Sequence, residues 1–173
     1  MALPFYDVSV GCYLQTLGGV AGFLDKGHAH FTTANVDPNS VLETRLIPDM
    51  WPFAVQVQAA VHHSLGAIKG MKAGLFQPPN VQQLDYRGLQ KLVSDAREQL
   101  KALSADEVNA LSGKDMMFQL GERKMPFTTD GFLLSFSLPN FHFHACTAYD
   151  ILRMKGVPIG KRDYMGQLKL KTA

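Results

Sequence analysis

In the run Pro52-Phe53-Ala54-Val55-Gln56-Val57-Gln58-Ala59-Ala60-Val61-His62-His63-Ser64-Leu65-Gly66-Ala67-Ile68-Lys69-Gly70-Met71, small and apolar residues recur at helical spacing. Phe53, Val57, Ala60, Val61, Ser64, Leu65, Ile68 and Met71 line one face, so the run predicts a long helix with a buried stripe. Pro48 and Pro52 bracket Asp49-Met50-Trp51 before it and force a break. Gln77-Pro78-Pro79-Asn80 follows as a loop.

Three more segments show the same period. The first runs from about Tyr6 to Lys26, with Val8, Leu14, Leu17, Val20 or Ala21, and Leu24 near one face and Gly27 as its stop. Another runs from about Asp85 to Leu103 on Tyr86, Leu89, Leu92, Val93, Ala96, Leu100 and Leu103. The last ends by Lys155, with Gly156 as C-cap and Pro158 beyond. Shorter elements fall between them. Asp37-Pro38 opens a short helix, and Ser104-Ala105-Asp106-Glu107 is a capping box for another that ends by Gly113. Met116 to Thr128 reads as a β-hairpin turning at Gly121-Glu122-Arg123. Phe132 to Leu138 alternates like a strand, but its caps and the following helix favour a helix kinked at Pro139. Four amphipathic helices can hide their stripes only against one another. The expected fold is all-α, a four-helix bundle with short extra helices and a small β-hairpin before the last long helix. No repeat or linker divides it, so residues 1–173 are expected to form one domain.

Composition excludes several classes. With 46% hydrophobic and 18% charged residues the chain is neither disordered nor low-complexity. Two cysteines, Cys12 and Cys146, supply no disulfide framework and no four-thiol zinc site, and both read as small core residues. Met1-Ala2-Leu3-Pro4-Phe5-Tyr6-Asp7 has no basic region ahead of a long apolar run, so no signal peptide is expected. No stretch is apolar enough to span a membrane, and the expected location is cytoplasmic. The net charge of +2 divides into +5 from Arg153 onward and −3 before it. Without interleaved aromatic residues, that basic tail reads as solvated rather than as a nucleic-acid surface.

Polar residues inside the stripes mark a candidate site. At about 100° per residue, Gln56 and His63 fall at about 260° and 240° from Val57, side by side, while His62 points outward. On the last helix His144 falls at about 300° from Phe141, at the edge of the core, and His142 at about 100°, near Tyr149 and Cys146. His142 and Cys146 have i, i+4 ligand spacing but no defined further partner. Gln56 and Gln58 suit interhelical hydrogen bonds, and Asp49 suits a turn or helix cap. Phosphate-loop, His-Glu-x-x-His and nucleophile-elbow motifs are absent.

Several motifs carry a resemblance. They are Ser9-Val10-Gly11-Cys12, Arg45-Leu46-Ile47-Pro48-Asp49-Met50-Trp51-Pro52-Phe53, Leu138-Pro139-Asn140-Phe141-His142-Phe143-His144, Thr147-Ala148-Tyr149-Asp150-Ile151-Leu152-Arg153 and Gly156-Val157-Pro158-Ile159-Gly160-Lys161-Arg162-Asp163-Tyr164-Met165-Gly166. Over nearly the whole chain they resemble an uncharacterised bacterial domain-of-unknown-function family of the DinB/YfiT-like metalloenzyme superfamily. The resemblance implies a four-helix bundle, often a homodimer. In better-known relatives it implies three histidines on a divalent metal, zinc or nickel, and thiol chemistry. One of those ligands lies on the second helix and two lie on the fourth at i and i+4. Here His144 stands for one, its i+4 partner is Ala148, and residues 49–56 hold no histidine. The triad is incomplete, so no metal is favoured over one held by His144 and His63.

Three functions compete. One is a protein that binds a small molecule in a polar pocket between helices, lined by Asp49, Gln56, His63, His144 and Tyr149, with a degenerate or absent metal site. Another is a divergent metal-dependent thiol transferase or hydrolase on His144 with His63 or Asp49. The third is a dimeric, non-catalytic partner-binding protein using Phe143, Thr147, Asp150 and Met154 on the back of the last helix. Enzyme status is left open.

Overall fold

The computed structural model describes residues 3–171. Met1-Ala2, the start of the segment read for a leader, and Thr172-Ala173 lie outside the described residues. Four long helices carry the structure. Helix α1 spans 5–33, α2 spans 53–73, α3 is Tyr86–Lys101 and α5 spans 129–154. Short helices α4 (Ala105–Asn109) and α6 (Lys161–Met165), and a 3-10 turn at Pro38–Val41, fill the connections. Helix α2 packs on α5 and α3, and α1 packs on α3, α5 and α6. Among the described residues no helix is long and apolar enough to cross a membrane.

Local chemistry sets most helix ends where the sequence placed them. Asp85 caps α3 by accepting from the Gly88 amide at 2.7 Å, and Ser104 caps α4 from the Glu107 amide at 3.2 Å. Thr128 caps α5, and Gly74 and Gly156 take positive φ just past α2 and α5. Helix α1 is the exception. It does not stop at Gly27 but continues to Thr33. Gly27 sits inside the helix because a Cβ there would collide with the Tyr86 hydroxyl and lie 3.3 Å from Leu152. The missing side chain lets that hydroxyl reach the Leu24 carbonyl at 2.9 Å.

The hairpin forms as expected from β2 (Asp115–Leu120) and β3 (Arg123–Thr128), with Gly121 at φ 58° in its turn. A strand the sequence reading did not foresee, β1 (Leu75–Phe76), adds to it in parallel, pairing Phe76 with Phe118. The sheet therefore delivers aromatic rings against α5. Phe118 and Phe136 lie 4.7 Å apart by ring centroids, and Phe76 and Phe132 lie 5.0 Å apart.

Three of the long helices contain one π-helical turn, at Asp7–Gly11, His62–Gly66 and Leu133–Ser137. Each holds a fully buried serine: Ser9, Ser64 and Ser137. Ser9 and Ser64 donate to carbonyls four residues back, at 2.6 and 2.8 Å. Ser137 instead crosses the bundle and donates to the His63 carbonyl at 2.7 Å. That carbonyl is available because the Ala67 amide bonds to Ser64 instead. With its proton so committed, Ser137 accepts from the buried Tyr13 hydroxyl at 2.6 Å.

Removing the middle of this chain should cost more than removing its end. Ser137→Ala orphans both the Tyr13 hydroxyl and the His63 carbonyl and is expected to lose about 2–4 kcal/mol. Tyr13→Phe leaves the serine bond intact and is expected to lose about 1 kcal/mol. Urea unfolding midpoints decide the order; equal losses would show that the three groups do not act in series.

Candidate functional site

The entry to α2, the middle of α5 and the tip of the sheet enclose a cavity of about 540 Å³. Asp49, Gln56, His63 and His144 all line it, as does Asn140. Its remaining walls are apolar: Trp51, Phe76, Phe118, Phe136 and Phe143, with Met50, Leu120, Pro78 and Pro79. Two α2 side chains anchor the loop that carries the prolines. Gln58 donates to the Gln82 carbonyl at 3.0 Å and accepts the Gln82 amide at 2.8 Å, while His62 reaches the Gln77 carbonyl at 2.8 Å. His62 is therefore half-buried under the loop rather than solvent-facing.

Gln56 organises the polar floor. Its Nε2 donates to the Trp51 carbonyl at 2.9 Å, which leaves Oε1 facing Nδ1 of His144 at 2.7 Å. An amide oxygen only accepts, so His144 carries its proton on Nδ1 and keeps a lone pair on Nε2. The His144 ring lies nearly parallel to two others, Trp51 at 5.5 Å and His63 at 5.7 Å between centroids. His63 also packs against Phe76 and Phe136, and its Nδ1 is buried with no hydrogen-bond partner. Burial lowers His63 from 6.5 to about 3, with His62 and His144 adding to the shift. Burial, then His62, lowers His144 from 6.5 to about 4.

Tyr149 does not join these residues. It lies on the other flank of α5, against Phe23 and Tyr164 at 6.1 and 6.0 Å. Asp49 is exposed at the mouth and makes no ion pair with Arg45, whose guanidinium donates to the Met50 carbonyl. His142 is exposed beside Tyr164, and Cys146 is exposed rather than in the core, with Asp150 one turn on. Cys12 is only half-buried. Sequence reasoning did not assign Asn140 or the aromatic wall to the site. The Pro48–Pro52 bracket, which holds Trp51 rigidly ahead of α2, was the one available signal.

The donor set does not fit a three-imidazole metal site. Among the described residues no group of three or more His, Cys, Asp or Glu side chains is placed to hold an ion. Ala148 is buried one turn beyond His144, where the resemblance would require an imidazole.

Both buried imidazoles are neutral in the folded chain and take up protons near 6.5 once it unfolds. Their contribution is complete above pH 6.5 and is lost as pH falls towards about 4 for His144 and about 3 for His63, where each titrates in the folded state. Thermal midpoints of the wild type should therefore drop faster between those limits than those of His63→Gln/His144→Gln. Parallel curves would place the two rings in water.

The chain matches the family described as a domain of unknown function (DUF1993) over residues 5–165. Among solved structures it is similar to a DinB family member protein from Shewanella denitrificans. The TM-score is 0.81 at 23% identity, covering 97% of this chain and 95% of that one, a likeness of fold. No curated protein matches. A DinB-like bundle and a match spanning most of its length place this chain in the DUF1993 domain-of-unknown-function family.

Proposed function

We propose that the protein binds a small, largely apolar organic molecule in the cavity between α2, α5 and the sheet, without a resident metal. One observation carries this reading: two neutral imidazoles stand side by side in an aromatic cavity, and the Nε2 lone pair of His144, set by the Gln56 bond to Nδ1, has no hydrogen-bond partner among the described residues. A bound hydrogen-bond donor satisfies such an acceptor. The volume of about 540 Å³ suits a small ligand, and few polar groups in an apolar lining are what such sites use for orientation. The free thiols Cys12 and Cys146 support a reducing, cytoplasmic location.

A thermal-shift screen of small aromatic and alicyclic compounds should find binders that raise the melting midpoint. Gln56→Ala and His144→Ala should abolish that rise while keeping the wild-type circular dichroism spectrum. Retained binding in both variants would move the site elsewhere.

A homodimer is a second part of the reading, supported by large apolar residues left exposed, three of which line the cavity. Ile47, Trp51, Leu120 and Phe143 are each about half accessible, and Phe143 reaches 54%. A second copy would cover them. Sedimentation equilibrium should give a dimer that Phe143→Glu converts to monomer; a monomer at every wild-type concentration removes this part.

A further inference from the structure

Resting on the cavity reading above, we infer that the ligand is a neutral, flat-ringed molecule that donates a hydrogen bond, through a hydroxyl or N–H, to Nε2 of His144. Three observations converge on this class. The first is the tautomer. Gln56 is held with its oxygen towards Nδ1 of His144 by its own bond to the Trp51 carbonyl, so the imidazole cannot turn donor on its other side without losing the 2.7 Å bond. Among the described residues Nε2 has no hydrogen-bond partner, and His144 lines the cavity. It is an acceptor by construction.

Charge is the second observation. Among the described residues no lysine or arginine lines the cavity, and Asp49 at its mouth is the one formally charged lining group. A carboxylate or phosphate entering here would lose its water without gaining a counter-charge and would pass a like charge on the way. Shape is the third. Trp51, His144 and His63 present nearly parallel planes, tilted by 9° and 19° between successive rings. Phe76, Phe118 and Phe136 close the wall beside them. His144, stacked with both neighbours, meets a ligand at its Nε2 edge, and a planar ring system packs on the phenylalanine wall beside it, whereas a flexible chain would lose more rotational freedom for the same area.

The test compares three probes of one shape on the full chain by calorimetry: naphthol, its methyl ether and naphthoate. Naphthol should bind about tenfold tighter than the ether, because only it offers Nε2 a proton, and naphthoate should be weakest. His144→Phe keeps a ring in place and should bring naphthol and the ether to within about threefold. Gln56→Leu should do the same by freeing the tautomer. In case either variant fails to fold, nitrogen NMR of the wild type gives an independent answer. The Nε2 resonance of His144 should be that of an unprotonated imidazole nitrogen and should move towards the hydrogen-bonded range on adding naphthol. Binding of the three probes with equal affinity, a preference for naphthoate, or a protonated Nε2 in the free protein would overturn the ligand class while leaving the cavity reading intact. Failure of all three to bind would overturn the cavity reading itself.

Discussion

The buried relay from the Tyr13 hydroxyl through Ser137 to the His63 carbonyl sets how the site can be assembled. It joins α1, α5 and α2 at one level, in the interior, with every proton assigned. The relay exists because α2 makes a π-turn at His62–Gly66 and so withholds an amide from the His63 carbonyl. Ser137 ends a second π-turn on α5, and its hydroxyl supplies what the helix does not. A buried carbonyl left unpaired would cost about 1–3 kcal/mol, so sliding α5 along α2 in either direction is penalised. That registration brings His144 opposite His63. The imidazole pair is thus set by a bond to the backbone of His63 itself, made from about two turns before His144 on α5.

The same economy explains why neutral rings can stay inside. Among the described residues no carboxylate is within ion-pair distance of either ring, and burial drives both far below 6.5. His144 offsets part of its desolvation through Gln56. His63 does not, since its Nδ1 faces no acceptor or donor. Stability alone would favour an apolar residue at that position, because packing would be kept and the orphan nitrogen lost. Stability alone therefore does not account for an imidazole at position 63.

Much of the bundle was legible because its information is local. Stripe periodicity, the Asp85 and Ser104 caps and the Gly156 terminus each depend on residues within one or two turns. Gly27 misled for the opposite reason. Its lack of a side chain answers to Tyr86, far away in sequence, and a local rule reads it as a stop. Cys146 was assigned to the core by residue type, although at about 140° from Phe141 on the helical wheel it faces away from the stripe. Tyr149 fails in the same way: His144 and Tyr149 lie about 140° apart around α5 and cannot line one cavity together. Gln56, His63 and His144 were legible because they break apolar stripes. The aromatic wall was not, since Trp51, Phe76 and Phe118 come from a loop and two strands whose meeting follows no period.

The outer partner of His144 shows how the site differs from the one the resemblance would lead one to expect. An imidazole that ligates an ion needs its second nitrogen held by an acceptor, so that the first presents a lone pair. Gln56 does that for His144. The next requirement, further donors converging on the same point, is unmet, because Ala148 fills the neighbouring turn with a buried methyl group. Converting that position back to an imidazole would also require room now occupied by core packing and a way to carry the added polarity. What remains is tautomer control without a set of ligands. An oriented lone pair in an aromatic cavity is an acceptor suited to a single hydrogen-bond donor, since few other polar groups line it. The proposed recognition of a neutral donor would use the same Gln56–His144 contact that could otherwise have oriented a metal-ligating imidazole.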